Sequence, residues 1–382
     1  MEDKIKICHI IDTLCIGGRE NVVINICNGL DKTKYKVYLI VLSNDNLPQI
    51  NKVEKYVTVV ILPFPESYLI GIHLLHFLFT GMPYLKRLLS DINPSIVHTH
   101  SALIRLFFVS LAIKLSFIKN RNFNTIHTSG AFYTPKNWFE RLQLKVQRRV
   151  IAITKPKIIA VSKEVEKKCN LLLSNCYDEI RCIPNGINVN SFYLTNNPQA
   201  KITWGFNESD IVIVYVSRLC YGKSHLTLLK AIEILHKKID KIKLCIIGDG
   251  ELWTSLNDYV NRNSLDKFVV FQGATNKVPE ILSICNIGVF PSEYEGMSIA
   301  LLEMMAAGLP IVCSDIVAFK QLFSEPDSAI FFPVMDHVSL SAQLEVLCNS
   351  ISLQKNMGEK AKSIAKEYST ENMIRKHEDY YK

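Results

Sequence analysis

Several features are scarce or missing in this 382-residue chain. No apolar run reaches the roughly 18–20 residues that a membrane span needs. The longest candidates are Tyr68–Phe79, which is too short, and Leu103–Ile118, which carries Arg105 and Lys114. Glycine and proline are too few for a collagenous or low-complexity chain. No cysteine pair has CxxC spacing, and no Cys/His cluster has the spacing of a zinc site. The eleven cysteines, an odd number scattered through apolar segments, read as buried free thiols in a reducing cytoplasm. The polar start Met1-Glu-Asp-Lys4 runs straight into a strand-like stretch, unlike a signal peptide. The GxGxxG dinucleotide fingerprint is also missing, which disfavours a hydride-transfer dehydrogenase.

Hydrophobic residues make up 48% of the chain and charged residues 21%, enough to bury large cores. The formal net charge is +8, and its location matters more than its size. Between Lys136 and Lys168, ten Lys/Arg face three Glu, so nearly the whole excess sits in one segment. That favours a local anionic surface over nucleic acid wrapped around the molecule, and no base-stacking aromatic motif accompanies it. The helical part, Lys136–Thr154, interleaves Trp138, Phe139, Leu142, Leu144 and Val146 with Arg141, Lys145, Arg148 and Arg149. Much of that apolar stripe is expected to be core. The basic face is expected to be either solvated or a peripheral contact with an anionic membrane.

Short β-branched runs alternate with helical patterns. The first series is Ile5–Ile11, Tyr35–Leu42, Val57–Leu62, Ser95–His98, Asn122–Ile126 and Lys157–Val161. The second is Ile211–Val216, Lys243–Gly248, Phe268–Phe271, Ile287–Phe290, Ile311–Cys313 and Ala329–Phe332. These runs are continuous in hydrophobicity, as expected of parallel strands covered on both faces. Strand–helix alternation implies right-handed βαβ units. Twelve strands in two groups predict two doubly wound α/β domains. Turn signals at Pro184, Asn185-Gly186 and Asn196-Asn197-Pro198 place the break within 183–201. The polar tail from Ile351 has helical spacing. Ligands of such sheets bind beyond the strand ends, and with two domains the expected site is the cleft between them.

Residues after the strands carry the chemistry. Gly17-Gly18 precede a helix, where paired glycines let backbone N–H groups approach an anion; the alternative is a bare turn. Arg218 and Lys223 flank a loop between a strand end and a helix start, suited to a diphosphate or else solvated. Glu295 falls in a loop after a strand, beside Gly296. Glu303 sits inside the apolar stripe Ile299, Leu301, Leu302, Met305, where a carboxylate needs a polar partner. A ribose diol is one candidate; a cap or an ion pair to Arg218 is another. His98-Thr99-His100 and His127 end adjacent strands. HxH suggests a metal, but no nearby Cys or carboxylate completes a set.

The ordered set Gly17-Gly18-x-Glu20, His127, Ile183-Pro-Asn185-Gly186, Arg218…Lys223, Gly248-Asp-Gly250-Glu251-Leu and Glu295-x7-Glu303 resembles the family 4 retaining glycosyltransferases. The resemblance covers nearly the whole chain. It implies the GT-B fold, two Rossmann-like domains facing across a cleft. Residues 1–190 would form the acceptor domain, 191–365 the nucleotide-sugar donor domain, and 366–382 a helix crossing back. It implies that Arg218 and Lys223 bind the donor diphosphate and Glu303 the ribose. Glu295 would contact the donor sugar, Gly17 and Gly18 would admit the donor, and His127 would lie near the reacting sugar, with Glu295 and His127 as the catalytic pair. It implies no metal and no cofactor beyond a donor substrate, a UDP-sugar being favoured. The acceptor would be a glycan or lipid-linked saccharide, the base the departing phosphate, and the location the cytoplasm at the inner membrane face. Two departures stand out: Gly296-Met-Ser298 replaces the usual Gly-Phe-Gly, and Ser224 replaces the Gly after the Lys. A catalytically silent GT-B subunit is the alternative, and an epimerase of the same architecture fits the motifs poorly.

Overall fold

The computed structural model describes residues 4–45, 47–65, 77–101, 103–127, 138–193, 198–323, 325 and 327–382. Lys136, most of the run 68–79, and Asn196-Asn197 lie outside the described residues. The chain divides into two compact units, one of residues 1–186 with 370–382 and one of residues 187–369.

The first unit holds β1 (Ile5–Ile11), β2 (Tyr35–Val41), β3 (Thr58–Ile61), β4 (Ile96–Thr99), β5 (Arg121–Ile126), β6 (Lys157–Ala160) and β7 (Ile180–Cys182). They form one parallel sheet in the order β3-β2-β1-β4-β5-β6-β7. The central β4 is buried along its whole length, which is why its apolar run is continuous. One face of the sheet, with Cys8, Ile10, Ile40 and Val97, packs against Phe77, Leu85, Leu89, Phe108 and Val109. Alternation along β1 turns His9 to the opposite face. There the helices Gly18–Gly29 and Thr370–Tyr381 pack together, and His377, Tyr380 and Tyr381 are buried.

The second unit holds β8 (Ile211–Val216), β9 (Ile242–Ile247), β10 (Val269–Gly273), β11 (Ile287–Phe290), β12 (Ile311–Ser314) and β13 (Ile330–Phe332). Its parallel order is β10-β9-β8-β11-β12-β13, the same winding as in the first sheet. Twelve strands match the sequence reading closely. The thirteenth, β7, is a three-residue edge strand with Arg181 at its centre, so it offers no apolar run to detect.

Candidate active site

Strand order reverses between β8 and β11, and ligands of doubly wound sheets lie beyond the strand ends at such a point. Both loops there carry predicted residues. The loop after β8 holds Arg218 and Lys223; the loop after β11 holds Glu295. Lys223 Nζ pairs with Glu295 Oε1, with Glu295 buried and Lys223 mostly so. The loops are stapled further by Glu293 N donating to Gly222 O at 2.9 Å and Ser224 Oγ donating to Glu293 Oε1 at 2.8 Å. Gly222 has φ 80°, and a Cβ there would strike the Tyr294 ring. Ser224 has φ 52°, the left-handed conformation that favours glycine. A glycine would adopt this conformation without strain; here a serine bears the strain and gains a bond to Glu293.

Arg218 is exposed and makes no ion pair among the described residues. Its turn is held by the Gly248-Asp-Gly250 element: Leu219 N donates to Asp249 O at 2.9 Å. A Cβ on Gly248, at φ 141°, would lie 1.9 Å from Ser217 O. The GxG therefore serves backbone-to-backbone packing under Arg218. Glu303 is half-buried on the helix Ile299–Ala306, whose Ser298 cap accepts from Leu301 N at 3.3 Å, and it does not pair with Arg218. His225 donates to or accepts from Ser217 Oγ at 2.9 Å, and burial lowers its pKa to about 4.

In the first sheet the order reverses between β1 and β4. Gly17 caps the helix Gly18–Gly29 in extended backbone, and Glu20 folds back so that a Cβ on Gly17 would sit 2.4 Å from Oε2. A carboxylate thus already meets this helix N-terminus. Arg19 Nη2 donates to Glu20 Oε1 at 2.7 Å. Fully buried Asp12 accepts from Arg19 at 3.2 Å and Arg105 at 3.0 Å through Oδ2, while its Oδ1 has no partner among the described residues.

The histidines converge. The β1–β4 register sets His9 beside His98, and His100 and His127 follow at the strand ends. His127 Nε2 lies 3.3 Å from His100 Nδ1, and His100 Nε2 lies 3.2 Å from His9 Nδ1. Burial, then the Arg19 cation, holds His127 down to about 3. His9, His98 and His100 bring ring nitrogens within 4.8 Å of one another, the spacing of a candidate metal set. Both His98 nitrogens are already bonded, to Tyr381 at 2.6 Å and Thr125 at 2.7 Å, so a cation there would have to break one of these contacts. Sequence reasoning missed His9, Asp12, Arg19 and Arg105 as site neighbours. Asp12, the first residue past β1, was the one available signal.

The basic helix Trp138–Thr154 corrects an expectation. Its core contacts come from Gln147, Val150 and Ile151, whereas Trp138, Leu142 and Val146 are 76%, 49% and 51% exposed. They recur at i, i+4, i+8 beside exposed Arg141, Lys145 and Arg149. These three face out because they share their side of the helix with the charges; Leu144 is half-buried, and the Phe139 side chain lies outside the described residues.

Two parallel sheets of this winding make two Rossmann-like domains, the architecture of the GT-B class. Residues 196–364 match the model for "Glycosyl transferases group 1", and residues 16–191 match that for "Glycosyltransferase Family 4". The chain belongs to the glycosyltransferases that these two models describe. It is 24% identical over 373 residues to EpsF of Bacillus subtilis, a glycosyltransferase by name, covering 95% of this chain and 91% of that one. It is 29% identical to the Escherichia coli UDP-Gal:alpha-D-GlcNAc-diphosphoundecaprenol alpha-1,3-galactosyltransferase, over 61% of this chain and 60% of the relative. In fold it is similar to HepE of Anabaena, solved with UDP and glucose, at TM-score 0.79 and 14% identity over 98% and 99% of the chains. Sucrose-phosphate synthase of Thermosynechococcus elongatus gives TM-score 0.82 at 17% identity over 99% and 98%. No helix among the described residues is long and apolar enough to cross a membrane.

Proposed function

We propose that the protein is a retaining glycosyltransferase. It takes a hexose-type sugar from a nucleotide-diphosphate sugar, UDP-sugars favoured, and places it on an acceptor hydroxyl in polysaccharide or glycolipid assembly. The observation that carries this reading is the grouping of Arg218, Lys223 and Glu295 at the switch point of the second sheet. Arg218 and Lys223 bind the diphosphate, Glu303 the ribose hydroxyls, and Glu295 the sugar. Gly17 and Gly18 admit the donor, and His127 contacts the reacting sugar. The acceptor oxygen bonds to the anomeric carbon on the face from which the diphosphate leaves. The bond from that carbon to the phosphate oxygen breaks, and the departing phosphate takes the acceptor proton. The two cations stabilise the charge that grows on the diphosphate, so the protein needs to supply no nucleophile. Lys223 must share or release Glu295 as phosphate arrives.

The E. coli relative is named for a UDP-Gal donor and a diphosphoundecaprenol-linked acceptor, which favours both for this chain, and HepE, solved with UDP and glucose, favours the donor. The exposed stripe and cations of the helix Trp138–Thr154 fit attachment to an anionic bilayer carrying such an acceptor.

The test is donor hydrolysis and nucleoside diphosphate titration with the purified protein over a panel of nucleotide sugars. Glu303→Gln should weaken a ribonucleotide more than its 2′,3′-dideoxy analogue. A protein that binds no nucleoside diphosphate and hydrolyses no donor would instead be the silent subunit.

A further inference from the structure

The proposed reaction uses His127 and leaves the imidazoles behind it unexplained. His127 is half-buried, and His100 and His9 are buried. They form a line, His127 Nε2 to His100 Nδ1 at 3.3 Å and His100 Nε2 to His9 Nδ1 at 3.2 Å. The line ends at His9 Nε2, which is buried with no partner among the described residues. His98 packs against His9 and His100 with ring centroids 5.1 and 4.1 Å away, but its nitrogens bond Tyr381 and Thr125, so it is not a link.

Each contact joins an Nδ1 to an Nε2. A neutral imidazole carries one proton, on one nitrogen or the other. If His9 holds it on Nδ1, His100 must accept at Nε2 and hold its own proton on Nδ1; the same then applies to His127. If His9 holds it on Nε2, the logic runs outward with every proton on Nε2. Any mixed set sets two N–H groups face to face or leaves a contact with no proton, losing a hydrogen bond in the interior. Burial keeps the rings neutral, with His9 and His127 held down to about 3 and His100 well below the ordinary value.

We propose that His9 and His100 are positioning residues that lock His127 into one tautomer shared by all three rings. The outer Nδ1 of His127 is then a donor in one state and an acceptor in the other, and a substrate oxygen bound there is sensed as far inward as His9. Because His9 Nε2 leads nowhere, the chain transmits a tautomer and not a net proton. The substrate-facing role of His127 rests on the function proposed above; the coupling of the rings does not.

The test is long-range nitrogen–proton correlation spectroscopy on the full-length, ligand-free protein labelled with nitrogen-15 histidine, with the rings assigned through bonds. His9, His100 and His127 should be neutral, should share one tautomer, and should stay neutral in mildly acidic buffer where an ordinary histidine protonates. Unlike tautomers among the three, or an imidazolium at any of them, would overturn the proposal. Absence of both nucleoside diphosphate binding and donor hydrolysis in a protein whose rings do share a tautomer would refute the function and leave the chain of rings standing.

Discussion

Lys223 and Glu295 form an ion pair across the point where the second sheet reverses its strand order, while Arg218 in the same loop as Lys223 stands exposed and without an ion pair among the described residues. The asymmetry separates binding from stability. Removing either cation should cost one charge-assisted contact to a diphosphate, on the order of 1.5–3 kcal/mol, or roughly ten- to a hundredfold in affinity. Lys223→Ala also leaves the buried Glu295 carboxylate without this partner, so it should melt lower. Arg218→Ala should bind worse and melt unchanged. Calorimetric titration with a nucleoside diphosphate, beside thermal melts, checks this; affinity unchanged from the wild type in both folded variants would remove these residues from the donor site.

Ser224 sets left-handed backbone strain against a hydrogen bond to the Glu293 carboxylate. Ser224→Ala keeps the strain and loses the bond, so it should destabilise by about 1–2 kcal/mol. Ser224→Gly loses the bond but relieves roughly 1 kcal/mol of strain, and should lie near the wild type. Urea unfolding of the two variants gives the order directly. An alanine variant as stable as the glycine variant would show that the strain argument fails.

Much of this architecture was legible because parallel strands covered on both faces read as unbroken apolar runs, as Ile211–Val216 does. The residues after those runs were legible as candidates, since the ends of strands are where doubly wound sheets bind. Partnerships were not. Lys223 and Glu295 lie 72 positions apart and meet only because β8 and β11 are neighbours. His9 is, with Lys6, one of two polar residues in an otherwise apolar strand until the β1–β4 register sets it beside His98. The tail helix was visible in its periodicity, but its polar composition hid that His377, Tyr380 and Tyr381 cover the histidine face of the first sheet.

The buried imidazoles predict an acid-sensitive fold. Burial is the first cause of every shift: His9 and His127 fall from 6.5 to about 3, and His225 and His377 to about 4. The unfolded chain takes up these protons near pH 6.5, and the folded chain only near pH 3–4. Between those limits the unfolded state binds more protons, so stability is full above about pH 6.5 and falls as pH drops. Each such group adds up to about 1.4 kcal/mol per pH unit to the slope. Denaturant unfolding between neutral pH and about pH 4 should show a decline steeper than one group can give. A flat profile there would mean that the imidazoles are already charged in the fold.

The outward stripe of the helix Trp138–Thr154 gives the last prediction. Trp138, Leu142 and Val146 are exposed at a spacing that puts them on one face, with Arg141, Lys145 and Arg149 alongside and in no ion pair among the described residues. Further along the basic segment, Lys163 pairs with Glu166, Lys168 with Glu164 and Lys157 with Glu179, so the unneutralised charge is concentrated on this helix. Each cation near an anionic bilayer contributes about 1 kcal/mol. Seating the three apolar side chains at the interface adds about 1 kcal/mol apiece. Together these terms give salt-sensitive attachment without a membrane span. The protein should cosediment with anionic vesicles at low salt and not with neutral ones. Changing Arg141, Lys145 and Arg149 to Glu should abolish this, while serine at 138, 142 and 146 should weaken it and leave its salt dependence in place. Nucleotide binding should be unchanged in both variants, because the helix lies in the first unit and the diphosphate residues in the second. Equal partitioning onto neutral and anionic vesicles, or none onto either, would reduce the patch to ordinary surface charge.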